Sequence, residues 1–218
     1  MKKILIVTFL MLSYCVSTAQ TDYDYKVVEK DGKYIFTDSK GNYVEKLGTW
    51  DEIEAFFFTS GELVKVWKES KQYYLDDSGN TYRVAYEIGD KPDPEIEALD
   101  LSRQQFDTFP MEVLQYPNLK VLFIDGYYEN KNNFVALPAE IVQLKELRFL
   151  SLSEGVLTTL PDNLGALKHL QVLYLSENQL KDLPESIGQL QKLKELTFRG
   201  NQLKSLPESI TKLQKLEM

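Results

Sequence analysis

The sequence contains few of the residues and motifs that enzymes and metal sites commonly use. It has 1 Cys and 1 His among 218 residues, which excludes a Cys/His metal cluster and a disulfide scaffold by count. It also has no GxGxxG or GxxxxGK[ST] phosphate-binding loop and no GxSxG nucleophile motif. We therefore expect no cofactor and no catalytic centre.

An excess of positive charge is also missing. The formal net charge is −8 and the pI is about 4.9, which argues against nucleic acid or an anionic membrane surface as the main partner, because both attract basic proteins. The chain is 43% hydrophobic and 12% aromatic, which is enough to bury a core.

No apolar run is long enough to cross a bilayer, which takes about 20 residues. The longest, at residues 4–12, follows Lys2 and Lys3 and precedes the small residues Ser17 and Ala19. This pattern is typical of a secretory signal peptide that is cut before Gln20. Residues 1–19 are thus predicted to be a signal peptide, and the protein is predicted to be exported: secreted, periplasmic or on the cell surface.

Two alternatives remain open for this segment. Cys15 stands where a lipoprotein would carry its lipid anchor, although Tyr14 occupies a position that favours a small residue. Residues 4–12 would also suit a buried strand or helix. Cleavage before Gln20 would remove the only Cys of the chain, so the remaining protein could not form a catalytic Cys–His pair.

The second half of the chain is repetitive. The dipeptide Leu-Pro occurs four times at intervals of 23 residues, and Phe109-Pro110 is a fifth, looser copy. Residues 170–190 and 193–213 share a pattern in which two leucines alternate with other residues, an Asn follows, and an LPxxIxxL stretch ends the unit. The alternation is typical of a short strand, and stacking of such units buries a continuous core. The second unit fits when five residues are inserted after Ile124.

These features resemble the leucine-rich repeat family, in its 23-residue form. The resemblance implies an α/β solenoid of about five repeats over residues 93–218, with short parallel strands on a concave face. It also implies that Asn178 and Asn201 form a buried ladder between repeats, which Gly155 and Gln104 interrupt.

Residues 20–92 have a different texture, rich in aromatic and β-branched residues. Residues 32–42 and 70–80 echo each other, each with an aromatic strand followed by an Asp- and Gly-containing turn. They resemble the WG-repeat family, although Tyr34 and Gln72 replace its Trp. A small antiparallel β domain that caps the repeats is expected. Calcium binding at the two turns is less favoured than plain hairpin turns, because the EF-hand spacing is wrong.

Strand register predicts which side chains line the concave face. The first outward column holds Ala98, Val121, Phe149, Val172 and Glu195; the second holds Asp100, Phe123, Ser151, Tyr174 and Thr197. An aromatic centre with a charged rim is typical of binding surfaces, although the first column would also suit packing between neighbours. The predicted partner-binding residues are Phe123, Phe149, Tyr174, Asp100, Asp125, Glu154, Glu177 and Arg199, together with Tyr127 and Tyr128 of the insertion.

These observations predict an exported, non-enzymatic interaction protein that binds another protein through its concave face. A glycan-binding surface adhesin, an inhibitor of an extracellular enzyme and a polymerising structural module are the alternatives. The fifth repeat carries apolar residues with little sequence after them to cover them, which predicts fraying or self-association through that end.

Overall fold

The computed structural model describes residues 25–54, 57–58 and 63–216. The predicted signal peptide and Cys15 lie outside these residues. The described residues form thirteen strands in two sheets, and the strands of the second sheet run from the N-terminal region through all five repeats.

The N-terminal region folds as two antiparallel sheets around a shared core. Its strands are β1 (Tyr25–Lys30), β2 (Lys33–Thr37), β3 (Thr49–Trp50), β4 (Glu52–Ile53), β5 (Phe57–Phe58), β6 (Val64–Lys68), β7 (Lys71–Leu75) and β8 (Thr81–Ala85). The first sheet has the order β3-β2-β1-β5, while β4, β6, β7 and β8 belong to the second sheet. Phe36, Trp50 and Leu75 are among the buried residues between them, and the Trp50 indole N–H donates to the Leu47 carbonyl at 2.7 Å.

The two echoing segments form matching turns. After β2, the Asp38 carboxylate accepts hydrogen bonds from the backbone amide of Asn42 at 2.8 Å and from its side chain at 3.0 Å. After β7, Asp76 accepts the corresponding two bonds from Asn80, both at 2.8 Å. The side-chain and backbone bonds from Asn42 hold the pKa of Asp38 below its usual value. Both carboxylates thus serve as acceptors within their own turns.

The five repeats each contribute one three-residue strand to the second sheet. These strands are β9 (Ala98–Asp100), β10 (Val121–Phe123), β11 (Phe149–Ser151), β12 (Val172–Tyr174) and β13 (Glu195–Thr197). They pair in parallel, with Ala98, Val121, Phe149, Val172 and Glu195 in one row. The predicted outward columns are confirmed. We number the repeats 1 to 5 after these strands.

Each strand is followed by a return segment that ends in a 3₁₀ helix on the outer side. The helices are Met111–Gln115, Ala139–Gln143, Leu164–Ala166, Glu185–Gln189 and Glu208–Lys212. In repeats 1, 2, 4 and 5 a proline directly precedes the helix, where its fixed φ and missing N–H are tolerated. The α component expected for the solenoid therefore takes the tighter 3₁₀ form, which suits such short segments. Leu180, Leu183, Ile187 and Leu190 are buried as predicted, in a core that runs through all repeats.

Buried asparagines connect neighbouring repeats. The Asn178 side chain accepts a hydrogen bond from the Leu157 amide at 3.0 Å and donates to the Leu152 carbonyl at 2.7 Å, and both partners belong to the preceding repeat. Asn201 bonds in the same way to Leu180 and Leu175. Asn132 accepts a hydrogen bond from the Phe106 amide of the preceding repeat and donates to the Ile124 carbonyl of its own repeat. The ladder predicted from the sequence is confirmed, and it includes Asn132, which follows the insertion.

The N-terminal region and the repeats share one sheet. Strand β8 pairs with β9 in parallel, with Val84 opposite Ala98. Ala85 and Ile88 pack against the core of the repeats, and the Gly89 amide donates to the Tyr116 hydroxyl at 3.1 Å. The boundary predicted between residues 92 and 93 falls in the connection from β8 to β9, and β8 covers the first edge of the repeat sheet.

Two glycines bring the outer helices of the later repeats close together. A Cβ atom on Gly165 would lie 2.1 Å from the Ser186 carbonyl oxygen, and one on Gly188 would lie 2.4 Å from that of Ser209. Any larger side chain would push the neighbouring repeat away. These positions therefore need glycine for a close approach.

Candidate functional site

The part of the concave face formed by the first residue of each repeat strand is covered by the protein's own N-terminal region. Ala98, Val121, Phe149 and Val172, which we call the covered column, form one buried cluster with Tyr74 and Tyr82. Tyr82 precedes Val84 by two residues on β8, so its ring projects from the same face of the sheet. The covered column is thus part of a core.

The prediction that Phe149 is exposed for a partner is wrong. Its ring is 5% exposed and packs edge-on against the Tyr82 ring, with 6.0 Å between the ring centroids. The outward direction of the side chain is as predicted, but Tyr82 of β8 reaches across the column and covers it. Burial raises the pKa of Tyr82 above its ordinary range, and the hydrogen bond to Asp76 adds to this shift.

Asp100 is likewise engaged within the protein. Its carboxylate accepts a hydrogen bond from the Tyr74 hydroxyl at 2.6 Å and lies 3.4 Å from the Lys65 ammonium, and its side chain is 10% exposed. Lys65 also lies over the rings of Tyr74, at 5.7 Å, and Tyr86, at 5.3 Å. The predicted role of Asp100 as an open acid of the rim is wrong, because β6 and β7 supply its partners.

Asp125 is the second of the predicted partner-binding acidic residues whose carboxylate is hydrogen-bonded within the protein. Its carboxylate accepts hydrogen bonds from the Ser151 hydroxyl at 2.6 Å and from the Ser153 amide at 2.7 Å. Burial raises the pKa of Asp125, and the charges of Asp100 and Glu154 add to this shift. Asp125 therefore connects repeats 2 and 3, and its carboxylate already has partners within the protein.

Phe123 and Tyr174 are the last residues of β10 and β12 on the same face, and both are half-buried. The Phe123 ring packs edge-on against Tyr74 at 5.5 Å between centroids, and the Tyr174 hydroxyl donates to the Glu195 carboxylate at 2.6 Å. Each ring keeps part of its surface on the concave side. Arg199 is exposed beyond them in repeat 5.

The insertion in repeat 2 forms an open part of the face. A tight turn closes it, in which the backbone groups of Tyr127 and Asn130 exchange hydrogen bonds of 3.2 and 2.8 Å. Tyr128 is 71% exposed and Tyr127 is 44% exposed, and their rings meet edge-on at 4.5 Å between centroids. The Arg103 guanidinium lies over the Tyr127 ring at 4.8 Å.

A cavity of about 700 Å³ lies beside this turn. Its walls are Tyr127, Tyr128, Glu129, Asn130, Lys131, Glu154 and Glu177, and we call it the insertion pocket. Four of the predicted partner-binding residues, Tyr127, Tyr128, Glu154 and Glu177, therefore come together here. They meet because the turn after each strand lies beside the same turn of its neighbours.

Two of the three glutamates that line the pocket occupy strained backbone positions. Glu154 has φ of 58° and Glu177 has φ of 56°, in the left-handed region where a side chain is unfavourable. Arg103 occupies the same place in repeat 1, with φ of 68°, while repeat 5 has Gly200 there. Three of the repeats thus keep charged residues at a position that favours glycine.

The sequence interpretation missed the residues from the N-terminal region that shape this face. Tyr74, Tyr82 and Lys65 cover or neutralise three of the predicted site residues. The alternation of Tyr82 and Val84 along β8 was the available signal, since these two side chains share a face. The sequence did not reveal that this face would continue the concave surface.

The described residues hold no group of three or more His, Cys, Asp and Glu side chains arranged as a metal site. In the same part of the chain, no helix has the length and apolar character of a membrane span.

Comparisons with solved structures find similar repeat proteins. A leucine-rich repeat protein of Leptospira interrogans is 34% identical, with a TM-score of 0.52, over 61% of this chain and 34% of that chain. The leucine-rich repeat ectodomain of a plant membrane receptor kinase from Arabidopsis thaliana, in complex with a Casparian strip integrity factor, is 27% identical with a TM-score of 0.49, over 57% of this chain and 15% of that one. Internalin C2 from Listeria monocytogenes is 23% identical with a TM-score of 0.49, over 57% of this chain and 51% of that one.

This chain therefore spans about a third of the Leptospira protein's length. A search of curated proteins found no match. The family model described as a leucine-rich repeat region matches residues 96–218. Because this match covers more than half of the chain and agrees with the stacked strands, the asparagine ladder and the continuous core, the protein belongs to the leucine-rich repeat family.

Proposed function

We propose that this protein is an exported, non-enzymatic interaction module that binds a protein partner through the open part of its concave face. The open part comprises the insertion pocket and the half-buried rings of Phe123 and Tyr174, with Arg199 at its far side. The covered column and the acids Asp100 and Asp125 act as its support.

The observation that carries this proposal is the exposure of the two tyrosines beside the pocket. Tyr128 is 71% exposed and Tyr127 is 44% exposed, on a turn held by a rigid array of strands. Aromatic residues that are left open on a rigid scaffold are typical of binding hot spots. Repeat solenoids commonly present an extended concave surface to a partner.

Site-specific photocrosslinking in the native host tests this proposal. A photoreactive amino acid would replace Tyr128 or Thr197 on the concave side, or Met111 on the outer side as the matched control. Met111 is 43% exposed and Thr197 is exposed as well. We expect one discrete crosslinked protein from each concave position and none from Met111.

Crosslinking from Met111 alone, or the same products from all three positions, would contradict the concave-face proposal. Binding to a glycan array without any crosslinked protein would instead favour the adhesin alternative, in which the tyrosines stack on sugar rings. A crosslinked partner that proves to be an extracellular hydrolase would favour the inhibitor alternative.

Self-association through repeat 5 is a second proposal, and it has its own observation. An apolar cavity of about 540 Å³ lies at this end, lined by Leu196, Phe198, Leu206, Ile210, Thr211, Leu213 and Leu216. Leu206 is 45% exposed, and β13 is the last strand of the described sheet. Association would cover this surface and the strand edge. Sedimentation velocity over a range of concentrations should show dimers that Leu206→Asp abolishes, and a monomer throughout would contradict the proposal.

Export rests on the signal-peptide pattern of residues 1–20, in which small residues precede Gln20. The intact mass of the protein recovered outside the cytoplasm should correspond to a chain that begins at Gln20. A diacylglyceryl adduct on Cys15 would identify a lipoprotein instead, and a full-length cytoplasmic chain would contradict export.

A further inference from the structure

We infer that the insertion pocket binds the guanidinium group of an arginine side chain supplied by the protein partner. This inference rests on the proposed function and names the chemistry that the partner must present. Its basis is the combination of open aromatic faces, uncompensated carboxylates and an internal arginine that already uses one of the rings.

The aromatic wall of the pocket is suited to a planar cation. The rings of Tyr127 and Tyr128 meet at an interplanar angle of 84°, so they present faces in two directions. The negative face of an aromatic ring attracts a cation, and the planar guanidinium stacks on it. Two adjoining exposed rings form an apolar patch of the kind that marks interaction sites.

Most of the charged residues that line the pocket are acidic. Glu129, Glu154 and Glu177 line the pocket together with a single basic residue, Lys131. Among the described residues, no Lys, Arg or His lies within salt-bridge distance of Glu154 or Glu177. A carboxylate pair without a counter-ion, next to two tyrosines, complements an incoming cation.

Arg103 provides an internal example of the proposed contact. Its guanidinium lies over the Tyr127 ring at 4.8 Å, on the same edge of the solenoid, and comes from the neighbouring repeat. In the described part of the chain, no cation lies over the ring of Tyr128. The partner's arginine would take this second ring, with Glu154 and Glu177 accepting its N–H groups.

Other ligands fit these walls less well. A calcium ion would use the carboxylates but would gain nothing from the tyrosine faces. A phosphate group would be repelled by the three glutamates. A sugar would stack on the rings without needing uncompensated charge, so a neutral glycan is an outcome that the experiment has to distinguish.

Amide NMR titration of the chain provides the test. The probes are N-acetyl-arginine methylamide and its citrulline counterpart, which has nearly the same shape but no charge, with maltohexaose as the glycan probe. The test variant is Glu154→Gln with Glu177→Gln. The matched control is Glu140→Gln with Glu208→Gln, which changes the net charge equally at exposed positions on the outer side.

We expect the arginine probe to shift the amides of residues 127–131, 154 and 177 with a dissociation constant in the millimolar range. The test variant should raise that constant about fivefold, as is usual for exposed charge pairs, while the control changes it less than twofold. Tyr128→Ala should weaken binding to a similar extent. The citrulline probe should not bind.

Equal effects of the test and control variants would overturn the inference, because only the long-range charge would matter. Equal binding of arginine and citrulline probes, or binding of maltohexaose alone, would overturn it as well. The crosslinking from Tyr128 and Thr197 decides the proposed function separately, since it detects a partner whatever group enters the pocket.

Discussion

The covered column and the insertion pocket lie on the same face of the same repeats, yet they have opposite environments. Phe149 of the column points outward and is 5% exposed, while Tyr128 beside the pocket is 71% exposed. The difference comes from the neighbouring sheet, because β8 and β7 extend the concave surface and place Tyr82 and Tyr74 over the column. The direction in which a side chain points from its strand therefore predicts its exposure only where no further strand extends the sheet.

Phe149→Ala should have the largest effect on stability. Removing a buried aromatic side chain should lower the free energy of unfolding by about 3–5 kcal/mol, since the cavity under Tyr82 cannot close fully. Urea unfolding would measure this change. Tyr128→Ala is the control on the open side and should stay within about 0.5 kcal/mol of the parent protein. Similar small losses for both variants would remove the distinction between the two regions.

Tyr74→Phe should have the next largest effect. It removes the 2.6 Å hydrogen bond to Asp100, and bonds to charged groups are worth about 1.5–3 kcal/mol. Tyr43→Phe is a suitable control, because Tyr43 is 48% exposed and its hydroxyl has only a long 3.5 Å contact with Thr49. If the two variants unfold at the same urea concentration, Asp100 does not depend on Tyr74.

Asp125→Asn should differ from the parent protein in stability by an amount that changes within one range of pH. Burial raises the folded-state pKa of Asp125, so the folded protein binds the proton more tightly than the unfolded chain does. The parent protein should therefore lose stability relative to the variant as pH rises from the unfolded pKa, about 3.9, through the raised folded value. Thermal unfolding of both proteins from acidic to neutral pH measures the difference. A difference that stays constant with pH would contradict the burial of a charged Asp125.

Glu177→Gly should have the smallest effect on stability, and in the favourable direction. A left-handed residue other than glycine costs about 1–2 kcal/mol, and glycine loses about 0.5–1 kcal/mol of this gain to chain entropy. The variant should thus be about 0.5–1 kcal/mol more stable, as Gly200 at the same place in repeat 5 suggests. The same variant should bind the arginine probe more weakly. A loss of stability would mean that the Glu177 side chain serves the fold.

The repeats could be predicted in detail because one interval sets both their strands and their register. The interval of 23 residues predicts that Phe149 lies opposite Val172 and that Val172 lies opposite Glu195, and both pairs are confirmed. The same register brought Glu154 and Glu177 to the turns beside the insertion. These features follow from local sequence and stacking alone.

The environment of individual side chains could not be predicted in the same way. The covering of Phe149 by Tyr82 depends on a parallel pairing between β8 and β9, which joins two regions with different repeat lengths. The engagement of Asp100 by Lys65 and Tyr74 depends on the same joint. Such contacts between distant segments leave no periodic signal in the sequence.

The glycines on the outer side have a consequence for the shape of the solenoid. Leu114 and Val142 occupy this position in repeats 1 and 2, whereas Gly165 and Gly188 occupy it in repeats 3 and 4. Spacing on the strand side is set by hydrogen bonds at about 4.8 Å, so closer outer helices mean a smaller bend between repeats. We therefore expect curvature to be concentrated in the first repeats, beneath Tyr128, with a straighter stretch after them. Duplicating repeat 4 would lengthen a nearly straight rod, whereas duplicating repeat 2 would tighten the arc.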